Sequence, residues 1–260
     1  MRHICLRELL KKVVPGRWQG AEILENVCQQ FGHNRLHLPL VSIEELFPGF
    51  NETSVTISML PRGSWSTPLT DQIVLAKLAR LLQPRTILEV GSFRGYTTRL
   101  LAENTKPSTV IHALDINPDH GAAYVNTPLA SRITRLVGSL SEWPYETVDR
   151  MKYDFIFLDA DHQQAAVESD TKYLLQMLAE GGMLFWHDYA DWGWMSTWNR
   201  VPEVLHAYSK ERPILSIPGT SLAVYRQGWT YAEVAHLIQD QKGASEESHW
   251  TTDLIRAEAS

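Results

Sequence analysis

Short clusters of ionisable residues stand out in this chain because each one closes an apolar run. Tyr153-Asp-Phe-Ile-Phe-Leu-Asp159-Ala-Asp161-His162 delivers two carboxylates and an imidazole directly after a strand-like segment. Asp159 and Asp161 are two apart, so an extended chain points both to one side, and a turn there redirects His162. Gly181-Gly-Met-Leu-Phe-Trp-His187-Asp188-Tyr189 repeats the pattern with another imidazole and another carboxylate. Carboxylates held together in a desolvated pocket require either a raised pKa on one of them or a cation. Asp159 and Asp188 with His187, completed by waters or substrate oxygens, suit magnesium or manganese, and the same set suits ferrous iron. Asp161 and His162 are the candidates to take a proton from a substrate hydroxyl, histidine being well matched near neutral pH. The competing structural uses are a helix cap for Asp161 and a satisfied core position for His187.

Ile87-Leu-Glu-Val-Gly91-Ser-Phe-Arg-Gly95-Tyr-Thr-Thr98 reads as strand, tight turn and helix, with Gly91 and Gly95 letting the backbone come close to a ligand. Asp115 ends the next apolar run, 24 residues after Gly91. An acid at such a strand end can hold the two hydroxyls of a ribose, so the pair indicates a nucleoside cofactor. Ser92 and Phe93 break the G-x-G-x-x-G spacing, which argues against a pyrophosphate-bridged dinucleotide.

The elements that must position these groups alternate. Strands are expected at 86–90, 109–115, 133–137, 153–158 and 182–187, with helices at 70–82, 96–104, within 119–130 and at 163–179. This is an α/β doubly wound, mostly parallel sheet, whose ligand face lies at the carboxyl ends of the strands. Glu89, Asp115, Gly138-Ser139, Asp159 to His162 and His187-Asp188 all fall at such ends. Thr70 is a candidate cap for the first of these helices. The segment before it, with Trp65, Thr67 and Asp71, is either placed to reach the cofactor turn or a linker with one buried tryptophan. A helix at 201–210 follows the sheet. The runs 213–218 and 221–225 then read as an antiparallel C-terminal hairpin, and a last helix is expected at 230–241.

Upstream, 1–15 and 20–31 have amphipathic helical spacing, 34–50 reads as an irregular arm, and 53–60 has short β-character. The expected organisation is an N-terminal arm over 1–60 that touches substrate or a second copy in a homodimer. A cofactor domain spans 61–228, and a helix with a frayed acidic tail fills 229–260. Tyr189 to Arg200, with Trp192, Trp194 and Trp198, reads as a lid or substrate wall, or as packing onto the protein itself.

Composition narrows the class. The 260 residues carry 24 Lys plus Arg against 30 Asp plus Glu, a formal charge of -6. That balance offers no broad basic face for nucleic acid. Cys5 and Cys28 lack metal spacing and fit a reducing compartment. No apolar run reaches a membrane span, so no membrane partner is expected and the chain reads as cytoplasmic.

Taken together, the turn 87–98, the run 154–162 and the run 181–189 resemble the motifs of class I S-adenosylmethionine-dependent methyltransferases. Within these, the chain is similar to the metal-assisted O-methyltransferases over roughly 60–226, both the catechol and caffeoyl-CoA type and the macrocin, novobiocin and cephalosporin-hydroxylase-related group. The resemblance implies a seven-stranded Rossmann-like sheet. It implies S-adenosyl-L-methionine held by Glu89, Gly91, Ser92, Gly95, Tyr96, Thr97, Asp115, Gly138, Ser139 and Asp159. It implies a divalent metal (magnesium, manganese or ferrous iron) on Asp159, His187 and Asp188, a base at Asp161 or His162, and a small hydroxylated acceptor. Two positions depart from the pattern: Tyr189 stands where the catechol type has asparagine, and His187 where some sugar enzymes have an acid. Methyl transfer without metal, to oxygen, nitrogen or carbon, with Asp161 or His162 as base, is the first alternative, followed by a nucleotide-binding oxidoreductase and a non-catalytic cofactor-binding protein.

Overall fold

The computed structural model describes residues 38–62, 66–143, 150–189 and 199–238. The expected helices at 1–15 and 20–31, Trp65, the tryptophan-rich stretch 190–198 and the tail beyond 238 lie outside the described residues. The strands are β1 (Thr86–Val90), β2 (Val110–Asp115), β3 (Ile133–Val137), β4 (Tyr153–Leu158), β5 (Leu178–Trp186), β6 (Leu215–Ser216) and β7 (Ala223–Arg226). They form one seven-stranded sheet of order β3-β2-β1-β4-β5-β7-β6. β1 pairs in parallel with β2 and β4, while β7 runs antiparallel to β5 and β6. The sheet is therefore doubly wound, and strand order reverses between β1 and β4, where such sheets open a ligand crevice.

Burial on both faces explains the continuous apolar strands. Ile87, Phe155, Phe157 and Phe185 pack with Val74, Leu75 and Leu78 of helix α2 (Leu69–Leu82; α1 is Ile43–Leu46) and with Leu101 of α3 (Tyr96–Glu103). The alternate residues Leu88, Ile156, Leu158, Leu184 and Trp186 face Val167 and Leu174 of α4 (Gln164–Met177) and Val204 and Leu205 of α5 (Val201–Tyr208). A residue's parity in its strand thus decides its helix layer. Glu89 and His187 fall on the α2–α3 side.

Several expectations need correction. Residues 119–130 do not form a helix: turns lead into a 3-10 segment at Pro128–Arg132. Pro118, a left-handed Gly121 (φ 99°) and Pro128 interrupt any i to i−4 ladder there. Helix α2 starts one residue early with Pro68 at the cap position, so Thr70 does not cap it. β5 begins at Leu178, shortening α4 to Met177. The last helix, α6, is only Tyr231–Val234, capped by Thr230 and followed by a 3-10 turn at Ala235–Leu237.

Residues 53–57 are extended but belong to no strand; a side chain takes the place of a ladder. Asn104, fully buried, donates to the carbonyls of Thr56 and Leu100 and accepts the Thr56 amide, each at 2.8 Å. The arm 38–50 joins the main core through Val41, Phe47 and Phe50, with single bridges from Leu40 to Ser216 and from Val41 to Ile238. Asn104→Ala should cost about 1–3 kcal/mol, because it strips partners from both backbone groups of Thr56. Chemical denaturation of the variant against the unsubstituted chain measures this, and the midpoint should fall with the slope unchanged.

Candidate functional site

The site begins where β1 ends. Gly91 has φ 89°, and a Cβ built there would lie 1.9 Å from the Asp159 carbonyl oxygen, so only glycine lets the β1 turn close onto β4. The Asp159 amide donates to the Val90 carbonyl (2.9 Å), carrying the ladder past the strand ends. Gly95, at φ 81°, is the residue before α3 and lies under the Tyr124 ring, which a Cβ would meet at 2.6 Å. The backbone between these glycines borders a cleft of about 820 Å³.

Every cofactor residue expected from the sequence lines this one cleft, together with Asp161 and His162. Asp115 is held by its neighbours: Oδ2 accepts the Phe93 amide at 2.7 Å, and Oδ1 accepts the Asn117 amide and lies beside His120 Nδ1, both at 2.9 Å. The Ser139 amide is bound at 2.9 Å by Glu142 Oε2, which shapes the wall after β3. Glu89 is wholly buried and takes a short hydrogen bond from the Thr98 hydroxyl of α3. Burial, against the Thr98 bond and with help from Asp159 and Asp115, pushes its pKa up to about 8.

A second group of residues overlaps the cleft at Asp159 and His162. Donor atoms of Asp159, His162 and Asp188 all lie within 4.8 Å of one another. His162 Nε2 is 2.6 Å from Asp188 Oδ2; His187 Nδ1 is 3.0 Å from the same oxygen and 3.2 Å from Asp159 Oδ1. The sequence-derived trio of Asp159, His187 and Asp188 is therefore brought together, and His162 joins it from the other side. Among the described residues neither of these two nitrogens makes a hydrogen bond, although carboxylate oxygens stand within 3.2 Å of them. Two carboxylates with unpartnered buried nitrogens are a donor set that fits a divalent cation.

Electrostatics follow from that crowding. Burial works against the charge on Asp188, but His162 and His187 outweigh it and hold the carboxyl below the usual range. Burial also opposes protonation of both imidazoles. The Asp188 carboxylate still raises His162, and Asp159, Asp188 and Asp71 raise His187 well above the ordinary value. Asp188 adopts φ 57°, and Asn199 Nδ2 caps its carbonyl at 2.5 Å.

Asp161 is exposed at the rim, and its Oδ1 accepts the Gln163 amide at 2.8 Å, leading the chain into α4. It also faces Asp170 of α4, whose pKa rises to about 6, mostly from burial and then from Asp161. The segment before α2 does reach the site: Thr67 Oγ1 donates to Asp159 Oδ2 at 2.8 Å, and Asp71 Oδ2 lies 3.1 Å from His187 Nε2. Thr98, Asp170 and Ser221, which binds Asp71, carry no sequence signal that singles them out. They are ordinary helix and turn residues until the fold brings them here.

A sequence profile described as a methyltransferase domain matches residues 88–189. The matched stretch runs from within β1 to the residues that follow β5. A curated protein of Mycobacterium sp. strain JLS, provisionally named as an O-methyltransferase, is 26% identical over 121 residues. The match covers 44% of this chain and 53% of that protein, so the chain spans about half the length of the curated relatives it matches. Among solved structures, the O-methyltransferase TomG of Streptomyces achromogenes, in complex with SAM, aligns at TM-score 0.50 and 16% identity. That alignment covers 69% of this chain and 94% of TomG. The SAH-bound Podospora anserina methyltransferase PaMTH1 aligns at TM-score 0.50 and 18% identity, over 81% of this chain and 96% of that one. These alignments show a shared fold, the same α/β architecture.

Glu89 yields a test on the domain itself. Its folded pKa of about 8 lies above the ordinary glutamate value of 4.5, so the folded state binds the extra proton between those limits. Stability from this group is full below the unfolded pKa and is lost as pH rises through the folded one, by about 1.4 kcal/mol per pH unit in between. Glu89→Gln should therefore gain stability relative to the unsubstituted chain on going from pH 5 to pH 8, measured by urea unfolding at both values.

Proposed function

We propose that this chain transfers a methyl group from S-adenosylmethionine to a hydroxyl of a small acceptor such as a phenol, a sugar or a natural-product scaffold, with a divalent cation assisting. One observation supports this above the others: Asp159 belongs both to the cleft that begins at Gly91 and to the donor cluster with His162 and Asp188. A cofactor seated at the β1 turn would thus lie beside the cation-binding groups.

In this reading Asp115 takes the ribose hydroxyls, and the Gly138-Ser139 segment borders the adenine. Glu89 and the 91–95 turn receive the methionine end. Burial raises the Glu89 pKa to about 8, and a cationic ammonium beside it would favour its ionised form. Asp159 and Asp188 would hold the cation with His187 as the nitrogen donor, and His162 stands beside them at the rim. Bound there, S-adenosylmethionine supplies an electrophilic sulfonium methyl, and the cation supplies positive charge beside the acceptor hydroxyl.

The chain's own work is alignment and proton transfer. The cleft walls hold acceptor oxygen and methyl carbon in line, which is where most of the acceleration in such a displacement arises. The acceptor O–C bond forms as the C–S bond breaks, and the hydroxyl proton passes to Asp161 or His162 at the rim. Transfer without a metal, using the same bases, is favoured by one feature: His187 already stands between Asp159, Asp188 and Asp71, where an imidazolium balances their charge.

Calorimetric titration of S-adenosylmethionine and S-adenosylhomocysteine into the metal-stripped chain tests the first half. Binding should be measurable, and Asp115→Ala should weaken it by about 10- to 100-fold, the loss of a charged hydrogen-bonding group. Asp159→Ala should abolish manganese binding in the same format. Absence of cofactor heat in the unsubstituted chain would sink the reading, and turnover undiminished by excess chelator would move it to the metal-independent branch.

A further inference from the structure

Asp71 is a carboxylate that neither the cleft nor the proton transfer uses. It is 1% exposed, deeper than Glu89 (2%) or Asp188 (7%), and it sits in the first turn of α2. It does not border the cleft. All its described partners come from the opposite end of the sheet. The Ser221 amide approaches its oxygens at 3.3 and 3.4 Å, the Ser221 hydroxyl makes a short hydrogen bond to Oδ2, and His187 Nε2 lies 3.1 Å from the same oxygen.

The directions of these bonds follow from the donors available. A backbone amide can only donate, so Oδ2 is an acceptor, and the Ser221 hydroxyl donates to it as well. The bond to His187 must then carry its proton on Nε2. In a neutral imidazole that leaves Nδ1 with its lone pair outward, and Nδ1 is the atom 3.2 Å from Asp159 Oδ1 and 3.0 Å from Asp188 Oδ2. A lone pair facing two carboxylates is repulsive unless a positive centre stands among them. The Phe157 ring meets the His187 ring edge-on, centroids 6.2 Å apart and planes at 77°, which fixes the ring plane on its other side.

We propose that Asp71 is a positioning residue that holds His187 as the Nε2–H tautomer and so makes Nδ1 the nitrogen donor of a transition-metal site with Asp159 and Asp188. This rests on the metal-assisted reading above and extends it to selectivity. Magnesium prefers an all-oxygen, largely hydrated shell, whereas an imidazole donor shifts preference towards manganese, ferrous iron or cobalt. A histidine ligand anchored through its second nitrogen by a buried carboxylate is a recurring arrangement in metal sites. Here the anchor comes from a helix 116 residues away in sequence, and Ser221 of the β6–β7 connection holds the anchor in turn.

The test uses the full chain, stripped of metal and titrated with Co(II), whose visible spectrum reports nitrogen coordination. Asp71→Ala should weaken Co(II) binding by about 10- to 100-fold and shift the spectrum. Asp71→Asn keeps an acceptor oxygen for Nε2–H and should recover most of that loss. In a His187→Ala background the Asp71→Ala effect should vanish, because the two residues act through one bond. A purely structural role for Asp71 would leave its effect intact there.

Two-bond proton–nitrogen correlation spectra of the unsubstituted, Zn(II)-loaded chain give a readout independent of any variant's folding. They should show a proton on Nε2 of His187 and metal on Nδ1. A proton on Nδ1, or Co(II) affinity equal in Asp71→Ala and the unsubstituted chain, overturns the proposal while leaving metal assistance standing. Failure of the unsubstituted chain to bind Co(II) or Zn(II) at all overturns both.

Discussion

Burying negative charge at one edge of the sheet is the constraint that shapes this molecule. Glu89, Asp115, Asp159, Asp188 and Asp71 all converge on the carboxyl ends of the parallel strands or directly behind them, and each is accommodated differently. Glu89 accepts a hydrogen bond from the Thr98 hydroxyl, and burial raises its pKa to about 8. Asp115 stays among two backbone amides and an imidazole. Asp188 is flanked by two imidazoles and is held in its ionised form. Asp71 is given three donors by residues from other parts of the chain. Unpaired ionised carboxylates in such a place would cost several kcal/mol each, so the histidines and hydroxyls are as necessary to folding as to chemistry.

That gathering depends on how closely β1 and β4 approach. Gly91 touches the backbone of Asp159 at a distance no side chain permits, and it is the same contact that brings the cofactor turn against the donor cluster. Parity in the strands does the rest. Glu89 and His187 share the face of Ile87 and Phe185, so they meet α3 and α2, and Thr98 and Asp71 become their partners. The chemistry of the site is thus carried by the alternation of the core, with polar residues substituted at the last position before each turn.

Much of this was legible in the sequence because the signals are local. Apolar runs bounded by glycine, proline or acid mark β1 to β5, and glycines at 91 and 95 mark a turn that needs left-handed backbone. The clusters after β4 and β5 could be read as one site because both end parallel strands. What could not be read depends on distance in the chain. His162 meets the same Asp188 oxygen as His187 only because the turn after β4 bends it there, and Asp71 and Ser221 meet across 150 residues. The segment 119–130 has helical composition, yet its prolines and a left-handed glycine impose turns. The extended piece at 53–57 finds an asparagine side chain instead of a neighbouring strand. Periodicity reports which face is apolar and is silent on which partner arrives.

Tyr189 shows how a departure from a family pattern can be structural in origin. It follows Asp188, where the catechol-type sequences carry asparagine, and its ring is buried. Its hydroxyl accepts the Leu38 amide at 2.5 Å, and burial pushes its pKa up to about 12, so it stays a neutral phenol. Its own amide donates to the Ser221 carbonyl at 2.9 Å. Tyr189 therefore straps the arm at Leu38 to the end of β5 and to the same Ser221 that holds Asp71. With Leu38 immobilised there and Leu40 bridging to β6, the arm is fixed within a few residues of the donor cluster. The Tyr189 hydroxyl is thus engaged with the arm at Leu38. The imidazoles of His162 and His187 are the groups that stand at 2.6 and 3.0 Å from Asp188 Oδ2 instead.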